Sequence, residues 1–74
     1  MAKTNNPPTE SRLTFGRRLR EERHNHDMTL EDLAAASGIT WSYIAQVEVG
    51  RRNIGVDNMH LLAAGVGVPL RDLL

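Results

Sequence analysis

The sequence contains no cysteine, which excludes a disulfide framework and any zinc site built on thiolates, so stability must come from packing and from association. It also lacks an apolar signal core at its N-terminus and any uninterrupted apolar stretch near the roughly 20 residues that span a bilayer, so secretion and membrane insertion are not expected. Net charge is absent as well. Nine basic residues are balanced by nine acidic ones, which argues against a non-specific polyanion binder. Nor is there length for a second lobe or a deep substrate cleft: at 74 residues, folding buries only roughly 60% of the unfolded chain's surface, and one helical core is about the limit. The expectation is a single soluble, cytoplasmic domain.

Chemistry of the catalytic kind is missing too. No nucleophile sits with a base, no carboxylate pair marks a cleft, and no glycine loop could cradle a phosphate, so an enzyme is not expected. His24, His26 and His60 have no cysteine or carboxylate at metal-ligand spacing and read as solvated or capping side chains. No metal, cofactor or small-molecule ligand is implied.

What the chain does have is placed charge and helical periodicity. Arg12, Arg17, Arg18, Arg20 and Arg23 crowd one segment and Arg51 and Arg52 another, whereas Glu31, Asp32, Asp57 and Asp72 lie elsewhere. A neutral total can therefore hide a basic face. Eight of the nine positive residues are arginine; this suits phosphate forks, and a biased genomic base composition produces it equally well. For Arg17, Arg18 and Arg20 an ordinary solvated face, with Glu21 and Glu22 as partners, stands beside a phosphate role.

Residues Met1 to Ser11 are polar, carry Pro7 and Pro8 and have no apolar period, so a disordered arm is expected over 1–11 and a domain over 12–74. Leu13, Phe15 and Leu19 give Arg12 to His24 an apolar stripe, hence a first helix, which Asp27 can end in a left-handed conformation. Thr29 before Leu30, Glu31 and Asp32 is a capped start for a second helix to Ala36. Ser37 and Gly38 break it, and Thr40 caps a third helix over Trp41 to Val49. Gly50 closes that helix. A fourth follows over Val56 to Gly65, and Pro69 opens a short fifth over Leu70 to Leu74. The expected class is all-α, with five helices.

Two short helices joined by a tight glycine-containing turn are the geometry that presents a recognition helix to the major groove. The run from Thr29 to Asn53, TLEDLAAASGITWSYIAQVEVGRRN, resembles the Cro/C1 (XRE) family of helix-turn-helix proteins. Phe15 to Arg23 looks like that family's first helix and Leu61 to Leu74 like its closing helices, so the resemblance covers about Leu13 to Leu74 and implies a lambda-repressor-like domain. On physical grounds alone, Ala34 and Gly38 allow the helix crossing and turn, while Ile39, Ile44 and Val47 point to the core. Arg23 and Glu48 match positions at which the family often joins helix 1 to the end of helix 3 by a buried ion pair.

The resemblance also implies the contacts. Trp41, Ser42, Ala45 and Gln46 would face base edges, with the Gln46 amide able to pair bidentately with adenine. Thr40, Tyr43, Arg51, Arg52 and Asn53 would position phosphates, and Arg52 is long enough to reach a base. Two readings stay open for Trp41 and for Tyr43, contact with DNA or packing on the core. Leu30 departs from the family, which commonly has a glutamine there that touches phosphate or base, so that contact is lost or replaced.

Val66, Val68, Leu70, Leu73 and Leu74 form an apolar end that either closes the core or meets a second copy. A homodimer would hold two recognition helices about 34 Å apart over a palindromic operator in double-stranded DNA, with RNA polymerase as a further candidate partner. The tract Arg51 to Met59, the short length and the apolar finish look most like the controller proteins of restriction-modification systems, which implies a stand-alone transcription regulator of its own operon. Phage Cro-like repressors and antitoxins share the domain. An adaptor that keeps the fold without DNA binding is the reading from another class, and a missing salt dependence of DNA affinity would mark it.

Overall fold

The computed structural model describes residues 7–74. Four α-helices follow one another: α1 (Glu10–Asn25), α2 (Leu30–Ser37), α3 (Trp41–Glu48) and α4 (Val56–Val66), and no strand occurs among the described residues. The expected fifth helix is instead one 3-10 turn, Leu70–Leu73. Its bonds run from the Asp72 N–H to the Pro69 oxygen at 3.0 Å and from the Leu74 N–H to the Arg71 oxygen at 3.2 Å, the i→i+3 pattern that short helical pieces adopt.

α1 starts two residues before the expected boundary, since the Thr9 hydroxyl accepts from the Arg12 N–H at 3.2 Å and caps it. Glu10 and Ser11 therefore belong to the helix rather than to the arm expected over 1–11, and residues 1–6 of that arm lie outside the described residues. Asp27 takes the left-handed φ of 55° expected after α1. At α2 the cap is reciprocal: the Asp32 N–H donates to the Thr29 hydroxyl at 3.0 Å and the Thr29 N–H donates to the Asp32 carboxylate at 2.9 Å. Such a box satisfies two of the donors that every helix start leaves open.

The core takes Phe15 and Leu19 from α1, Leu33 from α2, Ile44 and Val47 from α3, Leu62, Ala63 and Val66 from α4, and Leu73 from the terminal turn. Each large apolar side chain removed from water contributes roughly 1.5–3 kcal/mol, so these few residues carry most of the driving force for folding. α1 lies against α3, α4 and the terminal turn, while α2 lies against α3 and α4. Two expectations are corrected by this packing. Val66 and Leu73, expected above either to close the core or to meet a second copy, are enclosed by the chain's own core and have no surface to give a partner. Leu13, read as part of the inward stripe of α1, is 45% exposed and covers Gly50, where an added Cβ would meet its Cδ2 at 2.8 Å.

Candidate nucleic-acid interface

The turn between α2 and α3 sets how α3 is presented. Gly38 occupies the left-handed region at φ 77°, which costs other residues roughly 1–2 kcal/mol, and its N–H donates to the Ala34 oxygen at 2.9 Å. Ser37 is buried, and its hydroxyl accepts from the Ile39 N–H at 3.2 Å. That contribution of Ser37 was missed in the sequence, although a serine just before a turn glycine is the usual signal for a side chain that closes a turn on the backbone. Ile39 and Ala34 pack at the margin of the core. Leu30 does the same, which accounts for an apolar residue where the family commonly carries glutamine.

At the other end α3 is fixed by Arg23 and Glu48. The Arg23 Nε donates to Glu48 Oε2 at 2.7 Å and Nη2 to Oε1 at 2.9 Å, a two-pronged pair, while Nη1 donates to the Met28 oxygen at 2.9 Å. Both side chains are withdrawn from water, with 10% and 5% of their surface exposed. The hydrogen bond to Glu48 raises the Arg23 pKa above its ordinary value, burial opposes this, and the charge of Glu48 adds to the rise. One guanidinium thus ties together the last turn of α1, the loop after it and the last turn of α3.

With Ile44 and Val47 turned inward, the outer side of α3 is set by its period. Trp41, Ser42 and Gln46 are exposed and Ala45 half-buried, so these four of the expected contact residues share one face. Trp41 is 52% exposed at the first helical position, so packing does not account for it. Val49, 56% exposed and four residues after Ala45, extends the same face; the i+4 spacing carried that signal, and the sequence reading passed over it. Thr40 caps α3 through its backbone only, which leaves its exposed hydroxyl available.

The remaining expected residues divide. Arg51, Arg52 and Asn53 are exposed in the loop after α3. Arg52 folds back on the helix: its Nε donates to Gln46 Oε1 at 2.6 Å, and its guanidinium carbon stands 5.0 Å from the centroid of the half-buried Tyr43 ring. Asn53 faces another way and, with Thr9, Arg12, Phe15, Ile54, Met59 and Leu74, lines a shallow cleft of about 300 Å³. Of the residues expected between two copies, Val68 and Leu70 are half-buried and Leu74 is 62% exposed.

A short helix that is buried on one side, fixed at both ends, and exposed on the other along Trp41, Ser42, Ala45 and Gln46 defines a helix-turn-helix presentation of α3. Comparison with known proteins agrees. The family model described as helix-turn-helix matches residues 17–73. The control protein C.BamHI of Bacillus amyloliquefaciens is 36% identical over 64 residues, spanning 85% of this chain and 79% of that one. The crystal structure of the restriction-modification controller protein C.AhdI from Aeromonas hydrophila superposes with a TM-score of 0.85 at 36% identity, covering 89% of this chain and all 100% of that one. The wild-type controller protein C.Esp1396I, at 27% identity and a TM-score of 0.78, covers 81% of this chain and 79% of its own; it has also been crystallised as a tetramer with its natural 35 base-pair operator. The chain belongs to this helix-turn-helix family, whose members are transcription regulators and not enzymes. No helix among the described residues is long and apolar enough to cross a membrane.

Proposed function

We propose that this protein is a DNA-binding transcription regulator of the restriction-modification controller kind, acting as a dimer on a palindromic operator and regulating its own operon. The observation that carries the reading is the exposed face of α3, Trp41, Ser42, Ala45 and Gln46, in a chain 36% identical to two controller proteins over most of its length. At eight residues the helix is about 12 Å long, close to the width of the major groove. In this reading Trp41, Ser42, Ala45 and Gln46 meet base edges and Val49 meets the groove wall. Thr40, Tyr43 and Arg51 hold phosphates, and Asn53, which lines the cleft with Thr9 and Arg12, stands apart from them. The neutral sequence supplies the needed field locally, through Arg51 and Arg52 beside α3.

The dimer surface is narrower than the apolar end of the sequence. Val68, Leu70 and Leu74 remain for it once Val66 and Leu73 are assigned to the core. A two-fold partner meeting these residues sets two copies of α3 one DNA turn apart, about 34 Å. The fold is taken as lambda-repressor-like, with the 3-10 turn standing where a fifth helix was expected, and a cytoplasmic location belongs to the same reading.

Selection of bound duplexes from a random pool is the direct test. A palindrome should be enriched, and titration followed by the fluorescence of Trp41, the only tryptophan, should show affinity falling steeply with added salt as phosphate counterions are released. No enriched site at low salt would overturn the assignment.

A further inference from the structure

The geometry points to a composite base reader, Gln46 joined to Arg52, that selects guanine over adenine at the base pair it faces. The inference deepens the DNA-binding reading above and rests on it. A free glutamine amide pairs with adenine by accepting from N6 through its oxygen and donating to N7 through its nitrogen. Here one of the oxygen's two lone pairs is already engaged, since Gln46 Oε1 accepts a short, charge-assisted bond from Arg52 Nε at 2.6 Å, stronger than one from a neutral amino group, and the guanidinium held against it crowds the approach of a second donor. The groups left to face the groove are Gln46 Nε2 and the two Arg52 Nη, none of which is hydrogen-bonded to a described residue. All three are donors. Guanine offers two acceptors in the major groove, O6 and N7, whereas adenine sets an amino donor against them.

The position of the guanidinium is built, not incidental. Gly50 at φ 82° turns the chain back at the end of α3, with the Gly50 N–H donating to the Val47 oxygen at 3.0 Å and the Arg51 N–H to the Gln46 oxygen at 2.9 Å. These are the paired bonds of a helix end closed by a left-handed glycine. The turn delivers Arg52 to the helix face, where Tyr43 and Gln46, three residues apart and so neighbours on the helix surface, hold it from two sides. Stacking on the Tyr43 ring at 5.0 Å and the bond to Gln46 order a flexible side chain before DNA arrives, and such pre-organisation lowers the entropy lost on binding. Arg52 thereby acts on bases, the reach allowed for it beside its phosphate role, and does so jointly with Gln46.

The test uses the full chain and its selected duplex. At the position whose preference Gln46→Ala relaxes, the wild type should require guanine, and replacing that base by 7-deazaguanine, which removes the N7 acceptor, should weaken binding about 10- to 100-fold. Arg52→Lys keeps the charge but loses the fork and the stacking. It should lose most of this guanine discrimination at the same position, and both variants should keep the wild-type melting temperature because both side chains are exposed. Adenine at that position, no position relaxed by Gln46→Ala, or an Arg52→Lys variant that binds every sequence uniformly less well with its preference intact would each overturn the composite reader. A palindrome enriched without guanine dependence defeats this inference alone, whereas no enriched site defeats the DNA-binding reading with it.

Discussion

Replacing Glu48 by alanine should come close to unfolding the protein. The substitution leaves the Arg23 guanidinium inside with only the Met28 oxygen as a partner, because both of its bonds to carboxylate oxygens, at 2.7 and 2.9 Å, are removed. Exposure decides the magnitude. A solvated pair is worth about 0–1 kcal/mol, but with 10% and 5% of the two side chains exposed, the loss is that of a buried charge left alone, about 3–5 kcal/mol. A 74-residue domain has a total stability of roughly 4–11 kcal/mol and shifts its midpoint by about 4–8 °C per kcal/mol. Thermal melts followed by circular dichroism at the helical band should therefore show the Glu48→Ala midpoint lowered by about 12–40 °C. The double variant Arg23→Met, Glu48→Leu leaves no charge behind and should recover much of that loss. A single variant melting within about 5 °C of wild type, or a double variant no better than the single one, would refute the reasoning.

Two further perturbations test packing and association. Gly16→Ala should destabilise by about 1–3 kcal/mol or more in urea titration, because an added Cβ would press on the Val47 oxygen and stand 2.6 Å from the Glu48 oxygen, and backbone cannot swing aside; a midpoint equal to wild type would show that α1 can move away from α3. Leu74→Asp should raise the dimer dissociation constant at least about tenfold in sedimentation equilibrium, since burial of one leucine side chain is worth roughly 1.5–3 kcal/mol and Leu74 is free at the surface of the single chain. An unchanged constant would remove Leu74 from the interface.

Helix positions were legible because several independent signals agreed. Thr29, Gly38 and Thr40 mark ends by chemistry, and Ile44 and Val47 mark the inner side of α3 by period, so both the helix pair and its outer face could be read before any coordinates. The terminal segment stayed open between two readings for a specific reason. Val66, Val68, Leu70, Leu73 and Leu74 are equally apolar, and nothing in composition separates a side chain that closes its own core from one that waits for a partner; that division depends on where α4 and the 3-10 turn lie against α1. Leu13 failed similarly, since what it covers is Gly50, a neighbour distant in sequence, and not the core. The bond between Gln46 and Arg52 was out of reach for a further reason: it depends on the direction taken by the chain after Gly50, a property of two backbone hydrogen bonds and not of residue spacing.

Stability and recognition meet at the same helix end. Glu48 is the last residue of α3, Gln46 is two residues before it, and the carbonyls of Gln46 and Val47 accept the bonds that close the turn leading to Arg52. The Arg23 pair therefore anchors the stretch of backbone from which both members of the composite reader project. A chain of this size has little core to spare, and a reader on an isolated eight-residue helix would fray, because helices that short do not persist without tertiary support. Tying the helix end to α1 through two charge-assisted bonds restricts it far more than apolar contact alone, since those bonds have direction as well as strength. Apolar replacement of the pair should accordingly restore melting temperature more fully than base discrimination. The restored core would hold α3 in place while allowing its last turn, and the Gln46 and Arg52 side chains with it, more freedom than the forked pair permits.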